Sequence, residues 1–198
     1  SASAGDIVVV AGFSKATVAD TLCAPEVTEP IPAMPIDPPT LTMTFFVNTS
    51  PLAGKSGKKL TSRMIGERLF KEAETNIALK VEQSENNEAF EVSGRGELQL
   101  GILIETMRRE GFELSVSRPR VVMHDGPNGE KLEPIEDVVI DVDDEFSGVV
   151  IEKMTKRKAT ITEMKASGNG KTRIVFSAPS RGLIGYLSEF RTDTRGTG

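Results

Sequence analysis

Hydrophobic residues recur at two spacings that alternate along the chain from Thr40 onwards. A spacing of two is typical of a strand with one buried face, and a spacing of three or four is typical of a helix with one buried face. Over residues 40–121 these spacings predict, in order, a strand, a helix, two strands, a helix and a strand. The positions that set this order are Leu41, Met43, Phe45 and Val47; Leu60, Met64, Ile65, Leu69 and Ala73; Ile77, Leu79 and Val81; Phe90 and Val92; Leu98, Ile102, Leu103 and Met107; and Phe112, Leu114 and Val116.

The same order begins again after residue 133. The pattern predicts a strand over 138–142, a helix over 146–154, a hairpin of two strands over 159–177 and a helix over 183–190. The order β-α-β-β-α-β is typical of the ferredoxin-like unit, in which two helices cover one face of a four-stranded antiparallel sheet. We therefore predict an α+β protein with two ferredoxin-like units. The second pattern stops at its second helix, so we expect that unit to lack its final strand.

Two connectors separate these units from each other and from the start of the chain. Residues 24–39 contain six of the eleven prolines, which remove strand donors and stiffen the backbone. Residues 1–23 hold a single strand pattern, Ile7 to Ala11, and one strand cannot form a domain. We interpret it as the remnant strand of a separate domain. The predicted organisation is a remnant over 1–23, a Pro-rich linker over 24–39, a unit over 40–121, a linker over 122–133 and a unit over 134–198.

Composition limits the class of protein. Hydrophobic residues make up 38% and charged residues 27% of the chain, as in a globular protein, and the longest apolar run is too short to span a membrane. The single cysteine, Cys23, excludes a disulfide within the chain and favours a reducing, cytoplasmic compartment.

Charge is distributed unevenly along the chain. The formal net charge is −5, but residues 146–198 carry ten basic and four acidic residues, 10 − 4 = +6. Residues 131–145 carry one basic and seven acidic residues. A local basic region of this kind suits a polyanionic partner, although a solvated charged surface gives the same pattern.

One segment imitates a nucleotide-binding motif. Gly54, Lys55 and Ser56 stand between a predicted strand and a predicted helix, as in a phosphate-binding P-loop. The full motif needs a glycine five residues before Gly54, where Thr49 stands, and the helix pattern begins only near Thr61. We therefore expect no nucleotide site in this loop. The alternative hypothesis is a stand-alone nucleotide-binding enzyme that uses Gly54-Lys55-Ser56.

No other pattern predicts catalysis or metal binding. Asp141, Asp143, Glu145 and Glu152 have the spacing of a calcium-binding loop, but Phe146 occupies the position that requires glycine. The lone histidine, His124, and the lone cysteine form no nucleophile pattern. We predict no catalytic, cofactor-binding or metal-ligating residues.

The basic residues remain as candidates for contact with an anionic partner. Aromatic residues are few, which favours structured RNA held through its backbone over single strands held by stacking. The candidate RNA or ribosome contacts are Lys55, Lys58, Lys59, Arg63, Lys153, Lys156, Arg157, Lys158, Arg181, Arg191 and Arg195.

Several segments resemble a known family. Residues 48–57 (NTSPLAGKSG), 93–101 (SGRGELQLG) and 107–111 (MRREG) resemble the third domain of translational GTPases related to elongation factor G. Residues 179–186 (PSRGLIGY) and 195–198 (RGTG) resemble the BipA/TypA branch of that family. The resemblance covers nearly the whole chain.

The resemblance implies that residues 1–23 are the tail of the β-barrel second domain, that 40–121 are the third domain and that 134–198 are most of the fifth. It also implies that the domain binding GTP and Mg²⁺ and the C-terminal domain lie outside this chain. The implied parent is a cytoplasmic, ribosome-associated GTPase with roles in stress adaptation, virulence and assembly of the large subunit. The implied partners of this non-catalytic part are the ribosome, ribosomal RNA and the other domains of the same protein. A small-ligand sensing domain is a further alternative, based on fold analogy alone.

Overall fold

The computed structural model describes residues 2–13, 16, 20–32, 37–85 and 88–198. It confirms the predicted α+β class, with helices packed on antiparallel sheets. Pro35 in the predicted first linker and Asn86 and Asn87 in a predicted turn lie outside the described residues.

The first unit has the strand order of a ferredoxin-like sheet. Its elements are β1 Leu41–Phe46, α1 Ser62–Thr75, β2 Lys80–Gln83, β3 Ala89–Gly94, α2 Glu97–Arg109, β4 Ser115–Val116 and β5 Arg120–Val121. The antiparallel order is β2-β3-β1-β4, and β5 also pairs with β1. Phe45, Ile65, Leu69, Val92 and Leu100 are fully buried between the sheet and the two helices.

The last strand of this unit is split into β4 and β5. The sequence predicts a strand over Phe112–Val116, but only Ser115 and Val116 pair with β1 there, and Arg120 and Val121 pair with its other end. Pro119 lies between the two pieces and has no N–H to donate. The Ser117 hydroxyl accepts the Thr44 N–H at 2.9 Å instead of a ladder carbonyl.

The second unit contains a three-stranded antiparallel sheet. Its elements are β8 Ile135–Asp143, α3 Asp144–Lys156, β9 Thr160–Gly168, β10 Lys171–Pro179, α4 Ser180–Leu183 and α5 Tyr186–Asp193. The order is β8-β10-β9, so in the described part of the chain no strand pairs with the outer edge of β8. Val142, Val150, Met154, Ile174 and Phe176 form the fully buried centre of its core.

The predicted last helix is divided in two. α4 ends at Leu183 and Ile184 already has an extended ψ, whereas Gly185, whose φ of +75° lies in the left-handed region that favours glycine, directly precedes α5. The sequence pattern of Leu183, Tyr186, Leu187 and Phe190 does not reveal this break, because its spacing is compatible with one continuous helix.

The segment before residue 40 differs from the prediction. Residues 7–11 form no strand, and the side chains of Ile7 and Val9 are fully exposed. The strand prediction is wrong because none of the described residues supplies a neighbouring strand to pair with this segment. In the second linker, β6 His124–Asp125 and β7 Lys131–Leu132 form a short hairpin. Across the described ranges, no helix combines the length and the hydrophobicity needed to cross a membrane.

Two helix-interior glycines give a matched test of the packing of the first unit. A Cβ on Gly66 would lie 2.6 Å from Cζ of the buried Phe90 ring, whereas a Cβ on Gly101 would have no neighbour within 4 Å. We expect Gly66→Ala to destabilise the unit by about 1–3 kcal/mol through overpacking. We expect Gly101→Ala to stabilise it by about 0.5–1 kcal/mol, because alanine is the better helix former. Urea unfolding of both variants measures this, and equal effects would contradict the packing described.

Candidate functional site

The loop over residues 48–57 is folded around the carboxylate of Glu113. Oε1 accepts hydrogen bonds from the Gly54 N–H at 2.9 Å and from Asn48 Nδ2 at 2.8 Å. Oε2 accepts the Ser56 N–H at 2.8 Å and the Gly57 N–H at 3.1 Å. The Glu113 residue is 8% exposed, so its carboxylate depends on these four donors.

These donors favour the charged form of Glu113. The N–H groups of Gly54 and Ser56, followed by Asn48 and the Gly57 N–H, lower the pKa of the carboxyl below its ordinary value, against the opposing effect of burial. The stabilisation by Glu113 is therefore complete above the ordinary glutamate pKa and is lost as the pH falls through the lowered pKa of the folded state.

Backbone contacts tie the end of the loop to the same segment as Glu113. The N–H groups of Lys58 and Lys59 both donate to the Gly111 carbonyl at 3.1 Å, and the Glu113 N–H donates to the Lys59 carbonyl at 3.2 Å. A Cβ on Gly57 would lie 2.6 Å from the Gly111 oxygen, so the chains approach this closely only with glycine at 57.

This geometry opposes the nucleotide-binding hypothesis for Gly54-Lys55-Ser56. In a P-loop, convergent backbone N–H groups bind phosphate. Here the N–H groups of Gly54, Ser56 and Gly57 already bind the Glu113 carboxylate of the same chain. Sequence reasoning missed Glu113 because it lies 59 positions from Gly54 and belongs to no motif.

The basic candidates of the first unit differ in their surroundings. Lys55 and Lys58 are exposed and form no ion pair with any residue that the structure describes. The Lys59 ammonium lies 4.6 Å from the centre of the Phe112 ring, a cation–π contact. Arg63 pairs with Glu67 at 2.8 Å, one helical turn away on an exposed surface.

Most basic candidates of the second unit are paired within the chain. Lys153 pairs with Asp193 at 2.7 Å, Lys156 with Glu152 at 2.5 Å and Arg181 with Glu133 at 2.7 Å. The guanidinium of Arg195 lies 5.6 Å from the centre of the Phe146 ring. Lys158 and Arg191 are exposed and form no ion pair within the described ranges.

Arg157 holds the turn between α4 and α5. Its Nη1 donates to the carbonyls of Gly182 at 2.8 Å and Ile184 at 3.1 Å, and its Nη2 donates to Glu189 at 3.1 Å. The guanidinium also lies 5.1 Å from the centre of the Tyr186 ring. Both terminal nitrogens of the Arg157 guanidinium and one of its faces are therefore engaged within the chain.

The turn held by Arg157 contacts the first unit. The Gly185 N–H donates to Oε2 of Glu97, at the start of α2, at 2.9 Å. Ile184 is partly buried against the hydrophobic core of the first unit. Glu97 and Gly185 belong to the segments SGRGEL and SRGLIG, so the two most distinctive motifs of the sequence meet in space. Sequence analysis identified both motifs but not their contact.

Three of the four acidic residues with calcium-loop spacing are engaged by different partners. Asp141 forms a two-point pair with Arg173, both distances being 2.7 Å, and Glu152 pairs with Lys156. Asp143 accepts the Thr197 hydroxyl at 2.6 Å. Among the residues that the structure covers, no cluster of three or more His, Cys, Asp or Glu side chains is arranged to hold a metal ion.

Comparison with known proteins identifies related sequences for the whole chain. The family model described as "Elongation factor G C-terminus" matches residues 130–198. The protein named "Large ribosomal subunit assembly factor BipA" from Salmonella typhimurium is 50% identical over 197 residues, which are 100% of this chain and 32% of the relative. The protein of the same name from Escherichia coli K12 gives the same identity and coverage, and that from Synechocystis sp. PCC 6803 is 49% identical over 100% of this chain and 33% of its own length.

The chain belongs to the BipA/TypA family. This confirms the family resemblance that the sequence indicated. The chain spans about a third of the length of the BipA relatives that it matches. The match therefore covers the whole of this chain and only part of each relative.

The Glu113 carboxylate in loop 48–57 occupies the N–H groups that a nucleotide phosphate would need in this BipA/TypA chain. We expect no binding when labelled GTP is titrated onto the chain, and no effect of Lys55→Ala, because Glu113 engages the loop N–H groups. Fluorescence anisotropy measures this. Tight binding that Lys55→Ala abolishes would contradict the prediction.

The role of Arg157 in this BipA/TypA chain is tested by a substitution that keeps the charge. Lysine has no planar fork, so Arg157→Lys cannot reach both carbonyls and Glu189 while lying over Tyr186. We expect a loss of about 1–3 kcal/mol in the free energy of unfolding. The matched control, Arg63→Lys, alters an exposed pair and should change stability little. A loss no larger than that of the control would refute this role.

Proposed function

We propose that this chain is a non-catalytic part of a BipA/TypA-type GTP-binding protein and that it supplies ribosome-facing and interdomain surfaces. The relatives that match it over its full length are named large ribosomal subunit assembly factors. The observation that carries the proposal is the loop over 48–57, which is fixed by Glu113 and exposes Lys55 and Lys58 without ion pairs within the described structure.

Exposed lysines on a fixed loop, without an acidic partner in the described structure, are available to bind the phosphates of ribosomal RNA. A lysine that already pairs with a carboxylate must give up that partner before it neutralises a phosphate. Lys55 and Lys58 have no such partner among the residues that the structure describes. Lys158 and Arg191 offer the same property on the second unit. We therefore propose these four as the principal RNA contacts. The remaining candidates, which are secondary, are Lys59, Arg63, Lys153, Lys156, Arg157, Arg181 and Arg195.

The proposal extends to domain organisation and to the whole protein. We propose that residues 40–121 form the third domain, that 134–198 belong to the fifth and that 1–23 are the tail of a β-barrel domain. The contact between Glu97 and Gly185 supports an interdomain role for the second motif. On this proposal the whole protein is cytoplasmic, hydrolyses GTP with Mg²⁺ in another domain, contributes to assembly of the large subunit and acts in stress adaptation and virulence.

Sedimentation with purified bacterial large ribosomal subunits tests the ribosome-facing role. We expect the double variant Lys55→Glu, Lys58→Glu to bind at least about ten-fold more weakly at 0.1 M salt, because each lost phosphate contact lowers affinity in a salt-dependent way. The slope of log affinity against log salt should fall by about 2.

The matched control changes two lysines that already have acidic partners. Lys80 pairs with Glu82 and Lys131 with Asp125, and Lys80 lies on β2, at the opposite edge of the sheet from β4. The double variant Lys80→Glu, Lys131→Glu carries the same charge change and should bind nearly as tightly as the unmodified chain. Equal weakening by both double variants would show a general charge effect and would refute the proposed surface.

A further inference from the structure

Glu113 occupies the position of a bound anion in loop 48–57. Three convergent backbone N–H groups and one side-chain amide bind a carboxylate that belongs to the same chain. An internal carboxylate needs no external ligand, so the loop holds this shape before any partner arrives. The loop is therefore preorganised, which reduces the entropy lost on binding.

The donors to Glu113 fix the backbone beside the exposed lysines. Gly54 and Ser56 flank Lys55 on both sides, and Gly57 directly precedes Lys58. Both oxygens of Glu113 are engaged, so one side chain binds the backbone on each side of Lys55.

Local hydrogen bonds contribute more to the first half of the loop than to the second, although the Lys55 N–H donates to the Leu52 carbonyl at 3.3 Å. The Ser50 N–H donates to Oδ1 of Asn48 at 3.0 Å and the Leu52 N–H donates to the Ser50 hydroxyl at 3.3 Å. In the second half, the N–H groups of Gly54, Ser56 and Gly57 all donate to Glu113. The segment that carries Lys55 thus depends on Glu113 more than the segment before it does.

We propose that Glu113 is a positioning residue for polyanion recognition, which increases the affinity for RNA by fixing the backbone that carries Lys55 and Lys58. This inference rests on the proposed function of the loop. The direction of the change in RNA affinity on removal of the carboxylate distinguishes this role from a simple charge effect. Simple electrostatics predicts that removal of a carboxylate beside two lysines strengthens binding to RNA, because it removes a like charge. The positioning role predicts that the same change weakens binding.

The test uses Glu113→Gln in the full chain, with purified large ribosomal subunits as the probe. Glutamine keeps the size of the side chain, but its NH₂ group cannot accept the N–H groups that one carboxylate oxygen accepts. We expect about a ten-fold loss of affinity at 0.1 M salt, comparable to the loss of one phosphate contact. We also expect faster exchange of the amide hydrogens of Ser56 and Gly57.

A double-mutant cycle separates positioning from general destabilisation. If Glu113 acts through the two lysines, Glu113→Gln should have no further effect in the Lys55→Ala, Lys58→Ala background. An equal loss in that background would overturn the inference, as would unchanged or tighter binding of the single variant. If Lys55→Ala, Lys58→Ala itself binds as tightly as the unmodified chain, then the proposed function of the loop has failed.

If circular dichroism shows that Glu113→Gln does not fold, a second variant tests the inference. Asn48→Ala removes one donor to Oε1 without a change in charge. It should weaken ribosome binding less than Glu113→Gln does, and the weakening should again vanish in the Lys55→Ala, Lys58→Ala background. Binding of Asn48→Ala equal to that of the unmodified chain would overturn the inference in that case.

Discussion

A buried carboxylate must be hydrogen-bonded on both oxygens, and this requirement shapes one end of the first unit. Removal of an ion from water is unfavourable unless such partners replace the water. Glu113 obtains all four of its donors from residues 48–57, and that loop therefore curls back on the segment that follows α2. The close approach of Gly57 to Gly111 and the backbone bonds of Lys58 and Lys59 follow from the same arrangement.

The second organising contact joins the units through motifs that look alike but act differently. In the first unit, Gly96 directly precedes α2 and Glu97 is the first residue of that helix. In the second unit, Gly182 lies so close to the Arg157 carbonyl that a Cβ would be 2.3 Å from its oxygen, and Gly185 takes the left-handed conformation. The Glu97 carboxylate of the first motif accepts a hydrogen bond from the Gly185 N–H of the second.

Periodicity predicted the elements whose side chains form the cores, because burial of one face imposes a regular spacing on β1, α1, α2, α3 and β10. It could not predict the pairing of both pieces of the last strand with β1 or the absence of a strand over 7–11, since these depend on hydrogen-bond partners distant in sequence. The break at Gly185 was missed because the spacing of the hydrophobic residues there fits one continuous helix. The candidate lysines were found from charge alone. Glu113 and the pairing of Lys153 with Asp193 were not, because local sequence carries no signal for contacts across 59 or 40 positions.

The two units meet through the hydrogen bond between Glu97 and Gly185, which lie 88 positions apart, through the side chain of Ile184 and through the approach of α4 to β5. Between separate molecules, so small a contact would be weak. Within one chain the connector over 122–133 keeps the units at an effective concentration of about millimolar or above, as short linkers do, so the contact persists without a large interface. Because each unit has its own buried core, a partner that binds both units can change the angle between them without disrupting either core.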